Sequence, residues 1–381
     1  MSIRDSKWFC SEPFSNVFIT TDGIAAPCCV SGNWKSDQHQ THNIRDWEKA
    51  KNSSYFKGLR SDLMKGEGKF IDDYCKWCLE KEQAGQTSHR QMYVERLTEE
   101  EINLIDKTYV DGEDFDFPVI KNIQIKALGG NYCNLSCHMC HASESSGLAL
   151  ENRKLGIPDN HPLDRPAKYS FPWNQEGLEE YLRKTQRLNL VGGETLAIKE
   201  NYDLLKKCIL MGVAKNIEVQ IITNATVFPV FDDFDILDYI AQFKSMHVVC
   251  SVEIWGKEND YIRYPSKWEE TKANIYKLVE AKAEVVVAST VNALNIGYLH
   301  KMDFPKHSFM AVVDKKNPFS ITSIPPDIRK QLQILSEHEP LLESYEYDEK
   351  NMLKMLDIIK LRDNFRNTKL TDFFPEWDRY Y

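Results

Sequence analysis

Residues 120–315 alternate between short β-rich runs and amphipathic stretches, and nothing else in the chain constrains its fold as tightly. The runs are Ile123-Gln124-Ile125-Lys126-Ala127-Leu128, Arg187-Leu188-Asn189-Leu190-Val191 and Glu218-Val219-Gln220-Ile221-Ile222-Thr223. They continue with His247-Val248-Val249-Cys250-Ser251-Val252, Glu284 to Val291 and Ser308-Phe309-Met310-Ala311-Val312-Val313. Amphipathic segments such as 198–212 and 267–282 lie between them. Repeated strand–helix units predict a parallel α/β sheet, open or curled toward a barrel. Polar residues gather just after each run, at the carboxyl ends of the strands, where parallel α/β folds hold their chemistry.

The flanking regions read differently. Val17-Phe18-Ile19-Thr20, the turn pair Asp22-Gly23 and Ile24 to Val30 predict a hairpin. Residues 43–66 predict a helix that opens near Asn43 and closes at Gly66. Cys75-Lys76-Trp77-Cys78 leads into a charged helix running past Glu82. Residues 96–118, with Asp111-Gly112-Glu113-Asp114, read as an acidic linker. Residues 326–381 read as mainly helical.

A chain of 381 residues has room for two or three units and a large core. Its net charge of −9 argues against non-specific nucleic-acid binding, which needs a basic face. No apolar run reaches the roughly 20 residues needed to span a bilayer. Met1 to Trp8 carry no apolar signal-peptide core, so the expected location is cytoplasmic. In a reducing cytosol the ten cysteines are not expected to form a disulfide framework. Cys208 and Cys250 stand alone in apolar stretches and read as buried small hydrophobes.

Seven of the other eight cysteines fall into two sets, and Cys29 lies beside a member of one of them. Cys133, Cys137 and Cys140 sit in a loop led by Gly129-Gly130-Asn131-Tyr132. Three thiolates on one short loop can reach three corners of a four-iron cube and leave one iron without a protein ligand. A structural zinc ion asks for four ligands. His138 or His141 would supply a fourth, so a zinc site of three cysteines and one histidine is the alternative.

Cys133-Asn134-Leu135-Ser136-Cys137-His138-Met139-Cys140 resembles the cluster loop of the radical S-adenosylmethionine (SAM) superfamily, and the resemblance extends over about 120–315. It implies a partial (β/α)6 TIM-type barrel and a [4Fe–4S] cluster on Cys133, Cys137 and Cys140. In that family the unique iron chelates SAM, and an electron from the cluster cleaves the sulfonium C–S bond. The resulting 5′-deoxyadenosyl radical abstracts a substrate hydrogen, while the protein orients the cofactors and excludes water. An external electron donor such as flavodoxin or ferredoxin is implied as well.

Supporting positions follow one at a time. Gly192-Gly193-Glu194 resembles the family's Gly-Gly-Glu motif, which would meet the SAM ammonium; Thr195 stands where the family usually has Pro. Ser251-Val252-Glu253 is similar to the ribose-contacting segment, where Asp is commoner than Glu. Arg263 corresponds to an arginine that pairs with the SAM carboxylate. Thr223-Asn224 resembles a polar strand end that meets SAM, Thr290-Val291-Asn292 the segment near the adenine, and Met139 would offer its backbone to the adenine edge.

The second set, Cys10, Cys28, Cys75 and Cys78, resembles the twitch or SPASM-type auxiliary domain, which holds a second [4Fe–4S] cluster with a hairpin, a helix and four cysteines. Here it precedes the core instead of following it. Cys29 points away from Cys28 on an extended segment, so only one of them should ligate, and the spacing from Gly23 favours Cys28. A four-cysteine zinc site is the alternative. The expected division is 1–115 for the auxiliary domain and linker, 116–315 for the radical SAM core and 316–381 for a helical extension.

The expected function is hydrogen abstraction from a peptide or protein. The same chemistry on a small molecule or nucleotide is an alternative, and so is a non-catalytic iron–sulfur or zinc redox protein. The Gly-Gly-Glu, Ser251 and Arg263 positions weigh against the last, because a sensor needs no SAM pocket. The long polar insertion 142–186 is expected to help cover the substrate, an expectation that deletion of 155–172 would test.

Overall fold

The computed structural model describes residues 3, 6–19, 25–31, 51–83, 87–115, 122–126, 131–158, 178–313 and 315–381. Eight strands are present: β1 (Asn16–Ile19), β2 (Ala25–Ala26), β3 (Asn122–Lys126), β4 (Arg187–Val191), β5 (Glu218–Thr223), β6 (Ser245–Ser251), β7 (Glu284–Val291) and β8 (His307–Val312). They follow the order β2-β1-β3-β4-β5-β6-β7-β8 in a mostly parallel sheet. Every β-rich run read from the sequence is a strand that starts within two residues of the expected position. The principal helices are α1 (Ser54–Lys65), α2 (Lys76–Gln83), α3 (Glu99–Thr108), α4 (Ser146–Lys154), α5 (Lys199–Leu210), α6 (Trp268–Glu280) and α7 (Glu349–Arg366). Among the described residues no helix is long and apolar enough to cross a membrane.

The chain forms two compact units. One comprises Met1–Leu128, Ala167–Leu190 and Leu204–Val219. In it the expected hairpin exists, with Phe18 opposite Ala26 and Ile19 opposite Ala25. β1 also pairs in parallel with β3, Ile19 beside Ile125, so the hairpin extends the sheet. Phe9, Phe14, Leu59, Leu63, Met64, Ile71, Ile105 and Phe115 build the core of this unit. α1 begins at Ser53, whose side chain accepts from the Phe56 N–H. It ends at Gly66 with φ of 79°, the left-handed cap that glycine adopts freely. The expected acidic linker instead contains α3. Thr98 and Glu101 form a reciprocal capping box there, and Glu99, Glu100 and Glu101 occupy the first turn, where the helix dipole favours negative charge. Ile105 on α3 is fully buried, so a segment read as linker contributes to the core.

The other unit comprises Gly129–Pro166, Val191–Asp203 and Gln220–Tyr381. β6, β7 and β8 run parallel, with Cys250 beside Val287 and Val287 beside His307. Cys250 and, in the first unit, Cys208 are fully buried, as expected of isolated cysteines in apolar strands and helices. Leu135, Ile254, Ile262, Val291, Ile321, Met355, Ile359 and Trp377 belong to one apolar core. α7 brings Met355 and Ile359 into that core and buries Arg362 and Arg366 with them. Of the 142–186 insertion expected to cover substrate, residues 159–177 fall outside the described residues.

Candidate active site

The loop carrying Cys133, Cys137 and Cys140 joins β3 to α4 and is held largely through its backbone. Ser145, the N-cap of α4, donates its hydroxyl to the Leu135 carbonyl at 2.6 Å, and Ser146 Oγ accepts from the Cys133 N–H at 3.2 Å. The Ser136 and His138 N–H groups donate to the carbonyls of Tyr264 (2.6 Å) and Ile262 (2.9 Å). Cys137 is buried, and Cys133 and Cys140 are half-buried. Burial pushes the Cys133 thiol up to about 12, with Cys137 adding to the shift. Cys140 is raised by burial, then by Cys137 and Cys133. The three thiols therefore feel one another, and a bound cation relieves that cost by taking the deprotonated form.

The strand ends converge on this loop. Gly192 has φ of 138°, a conformation for glycine. A Cβ on Gly193 would stand 2.2 Å from the Tyr132 carbonyl oxygen, so the chain passes this close only because the residue is glycine. The Glu194 N–H donates to that same oxygen at 2.7 Å. The fully buried Glu194 carboxylate accepts from the N–H of Leu196 (2.9 Å), the N–H of Asn224 (2.7 Å) and the Thr223 hydroxyl, which locks the end of β4 to the end of β5. The Asn224 side chain donates to Asn134 Oδ1 at 2.9 Å, inside the cysteine loop.

Glu253, after β6, is also fully buried. It accepts from Arg263 Nη2 at 2.6 Å and Nε at 3.1 Å, from the Thr290 N–H at 2.9 Å and from Asn295 Nδ2 at 3.1 Å. Arg263 Nη1 lies 3.9 Å from Cys137 Sγ. Burial raises both carboxyls, Glu194 and Glu253, above the usual range; hydrogen bonds offset this at Glu194, and Arg263 offsets it at Glu253. The two carboxylates thus have their oxygens committed to protein donors and fix strand ends. Ser251 is half-buried at the end of β6. Val291 is buried, and its carbonyl accepts from the Val313 N–H. The Met139 carbonyl accepts from Asn317 Nδ2 at 3.1 Å, which takes one of the backbone groups expected to face an adenine.

Four contributors carried no local signal: Asn134, Asn295, and the arginines Arg362 and Arg366. The last two settle the place of His138. Its Nδ1 and Nε2 face guanidinium nitrogens of Arg362 at 3.3 Å and Arg366 at 3.0 Å, so the ring is committed and is not a free metal ligand. His141 is exposed. Among the described residues no group of three or more His, Cys, Asp or Glu side chains is arranged to hold a single ion. A cube asks for something else, one thiolate per iron corner, and three thiols spread along one loop fit that with a corner open.

The second cysteine set lies in the first unit. Burial raises the Cys10 thiol, with Glu12, Cys75 and Cys78 adding to the effect. Cys28 is raised by burial, then by Cys29, Cys10, Glu12 and Cys75. Cys10 thus feels Cys75 and Cys78, and Cys28 feels Cys29, Cys10 and Cys75. Cys29 Sγ stands 3.8 Å from His89 Nδ1. The buried Glu12 beside the set accepts from Asn16 Nδ2 at 2.6 Å.

Residues 128–307 match the family described as the Radical SAM superfamily. Those residues form a radical SAM superfamily domain. Among solved structures this chain is similar to anSMEcpe with bound AdoMet and Kp18Cys peptide, at 16% identity over 52% of this chain and 54% of that one, TM-score 0.35. It is also similar to Streptococcus suis SuiB bound to S-adenosylmethionine, at 14% identity over 98% and 77%, TM-score 0.36. A third is TYW1 with a lysine-pyruvate adduct, at 13% identity over 45% and 55%, TM-score 0.25. The matched region spans about half the length of the first of these, 54%. No curated protein sequence matches.

Proposed function

We propose that this radical SAM enzyme reductively cleaves SAM and uses the 5′-deoxyadenosyl radical to take a hydrogen atom from a peptide or protein. The observation that carries the reading is convergence. Gly193 and Glu194 touch Tyr132, Asn224 touches Asn134, and Arg263 reaches Cys137, so three separated sequence positions meet on one cysteine loop.

Cys133, Cys137 and Cys140 would hold a [4Fe–4S] cluster, which when bound supplies the electron that breaks the sulfonium C–S bond. Glu194 holds the ends of β4 and β5 in register, so that the Gly192-Gly193 backbone is preformed for the SAM ammonium. Arg263 keeps two nitrogens on Glu253 and turns Nη1 to the loop, where it would meet the SAM carboxylate. Ser251, Asn224, Val291 and Met139 would flank the nucleoside. Cys10, Cys28, Cys75 and Cys78 would hold a second [4Fe–4S] cluster, and their twitch- or SPASM-like layout supports a peptide or protein substrate. Flavodoxin or ferredoxin would deliver the electrons.

The test is anaerobic reconstitution followed by dithionite and SAM. Wild-type protein should hold about eight irons per chain and release 5′-deoxyadenosine. Cys137→Ala should abolish release. Cys75→Ala should keep release while losing about half the iron. Release that survives in Cys137→Ala would sink the proposal.

A further inference from the structure

We infer that Arg362 and Arg366 on α7 are positioning residues for the cluster proposed on Cys133, Cys137 and Cys140, clamping its loop from behind and raising its affinity for an electron. The inference rests on the proposed function, and its test separates the two.

The contacts are dense and buried. Arg366 Nη2 donates to the Ser136 carbonyl at 2.6 Å and to Glu151 Oε1 at 2.7 Å, its Nε donates to Glu151 Oε2 at 3.1 Å, and its Nη1 meets His138 Nε2 at 3.0 Å. Arg362 Nη1 donates to the His138 carbonyl at 3.0 Å and its Nη2 to Asn152 Oδ1 at 3.2 Å, while its Nε stands 3.4 Å from Glu151 Oε1. His138, Glu151, Asn152, Arg362 and Arg366 are all buried. The two arginines thus bind carbonyls at two positions between Cys133 and Cys140 and leave the loop little freedom.

Their charge does not cancel. Two guanidinium groups share one carboxylate, Glu151. Burial and Arg366 lower Arg362 to about 10, which leaves it cationic at neutral pH. Asp363, next to Arg362, is turned to Tyr261, Tyr381 and the Leu370 N–H. Arg263 is matched by Glu253. Arg366 acts on Cys137, and Arg362 interacts with Cys140. Glu144 acts on Cys140 with the opposite sign. Reduction adds negative charge to a cluster on these thiolates, and net charge and hydrogen bonding around a cluster set its potential. In a buried site such charges are weakly screened.

Opposite charges give opposite predictions, which a purely structural role does not. Full-length protein is reconstituted, and the cluster is followed by EPR during a redox titration without SAM. Arg366→Gln should shift the reduction equilibrium about tenfold against the reduced form, about 59 mV for one electron. Glu151→Gln should shift it about as far the other way. Arg366→Lys, which keeps the charge, should stay close to wild type. Unchanged midpoints, or shifts of one sign in both neutral variants, would overturn the inference. If Arg366→Gln does not assemble a cluster, Glu151→Gln and Arg366→Lys still decide. A wild-type protein with no cubane signal would overturn the proposed function instead.

Discussion

Cys133, Cys137 and Cys140 lie within eight residues of one loop, whereas Cys10, Cys28, Cys75 and Cys78 come from three segments of the first 78 residues. The loop cysteines are placed by backbone hydrogen bonds and by glycine at the point of closest approach. The scattered ones are placed by packing, since Cys10 belongs to the same apolar core as Phe9, Leu63 and Ile105, and Cys75 packs against it. Their charged neighbours differ too. Arg263 and Arg366 act on Cys137, while Glu12 acts on both Cys10 and Cys28. A loop site therefore depends on a few exact backbone approaches, and a packed site on the stability of the unit around it.

The loop site is most vulnerable at Gly193. Gly193→Ala places a methyl 2.2 Å from the Tyr132 carbonyl, where backbone must move. It should abolish the proposed SAM cleavage while any iron held by the proposed auxiliary site is retained, as measured by 5′-deoxyadenosine release and iron content. Cleavage near the wild-type level would show that the approach is not needed.

Next in size is Glu12. Burial pushes its carboxyl from 4.5 up to about 8. Between those values the folded chain keeps a proton that the unfolded chain has lost, so stability falls as pH rises through the window. Thermal unfolding of metal-free protein should show a midpoint that drops from about pH 5 to about pH 8, and Glu12→Gln should flatten the drop. An equal drop in both proteins would remove Glu12 as its source.

The smallest effect belongs to Thr98. Thr98→Ala removes one half of the α3 capping box and should cost about 1 kcal/mol in urea unfolding, without altering SAM cleavage. A loss of cleavage would mean that the loop site depends on the stability of the first unit as well as on its own backbone approaches.

Much of this was legible in the sequence because it is local. The strands announce themselves by β-branched runs, and the turn at Asp22-Gly23 announces its hairpin. The cysteine spacing and Gly192-Gly193-Glu194 are contiguous motifs, and the structure puts them in contact. What was not legible depends on competition or distance. The Thr98–Glu101 capping box is written in the chain, but the acidity of the segment masked it. Glu194 and Glu253 read as ligand-facing carboxylates because a motif does not reveal Thr223, Asn224, Arg263 and Asn295, the donors that occupy them. Arg362 and Arg366 sit on a helix that looks ordinary, and their partners are 210 to 230 residues away.

Ser136 leaves the ribosome 230 residues before the Arg366 that holds its carbonyl. At about 5–20 residues per second, the cysteine loop waits on the order of ten to fifty seconds for its clamp. Throughout that interval the three thiols are present without their buried arginines. Until α7 emerges, the Ser136 and His138 carbonyls lack the guanidinium groups that hold them in the finished protein.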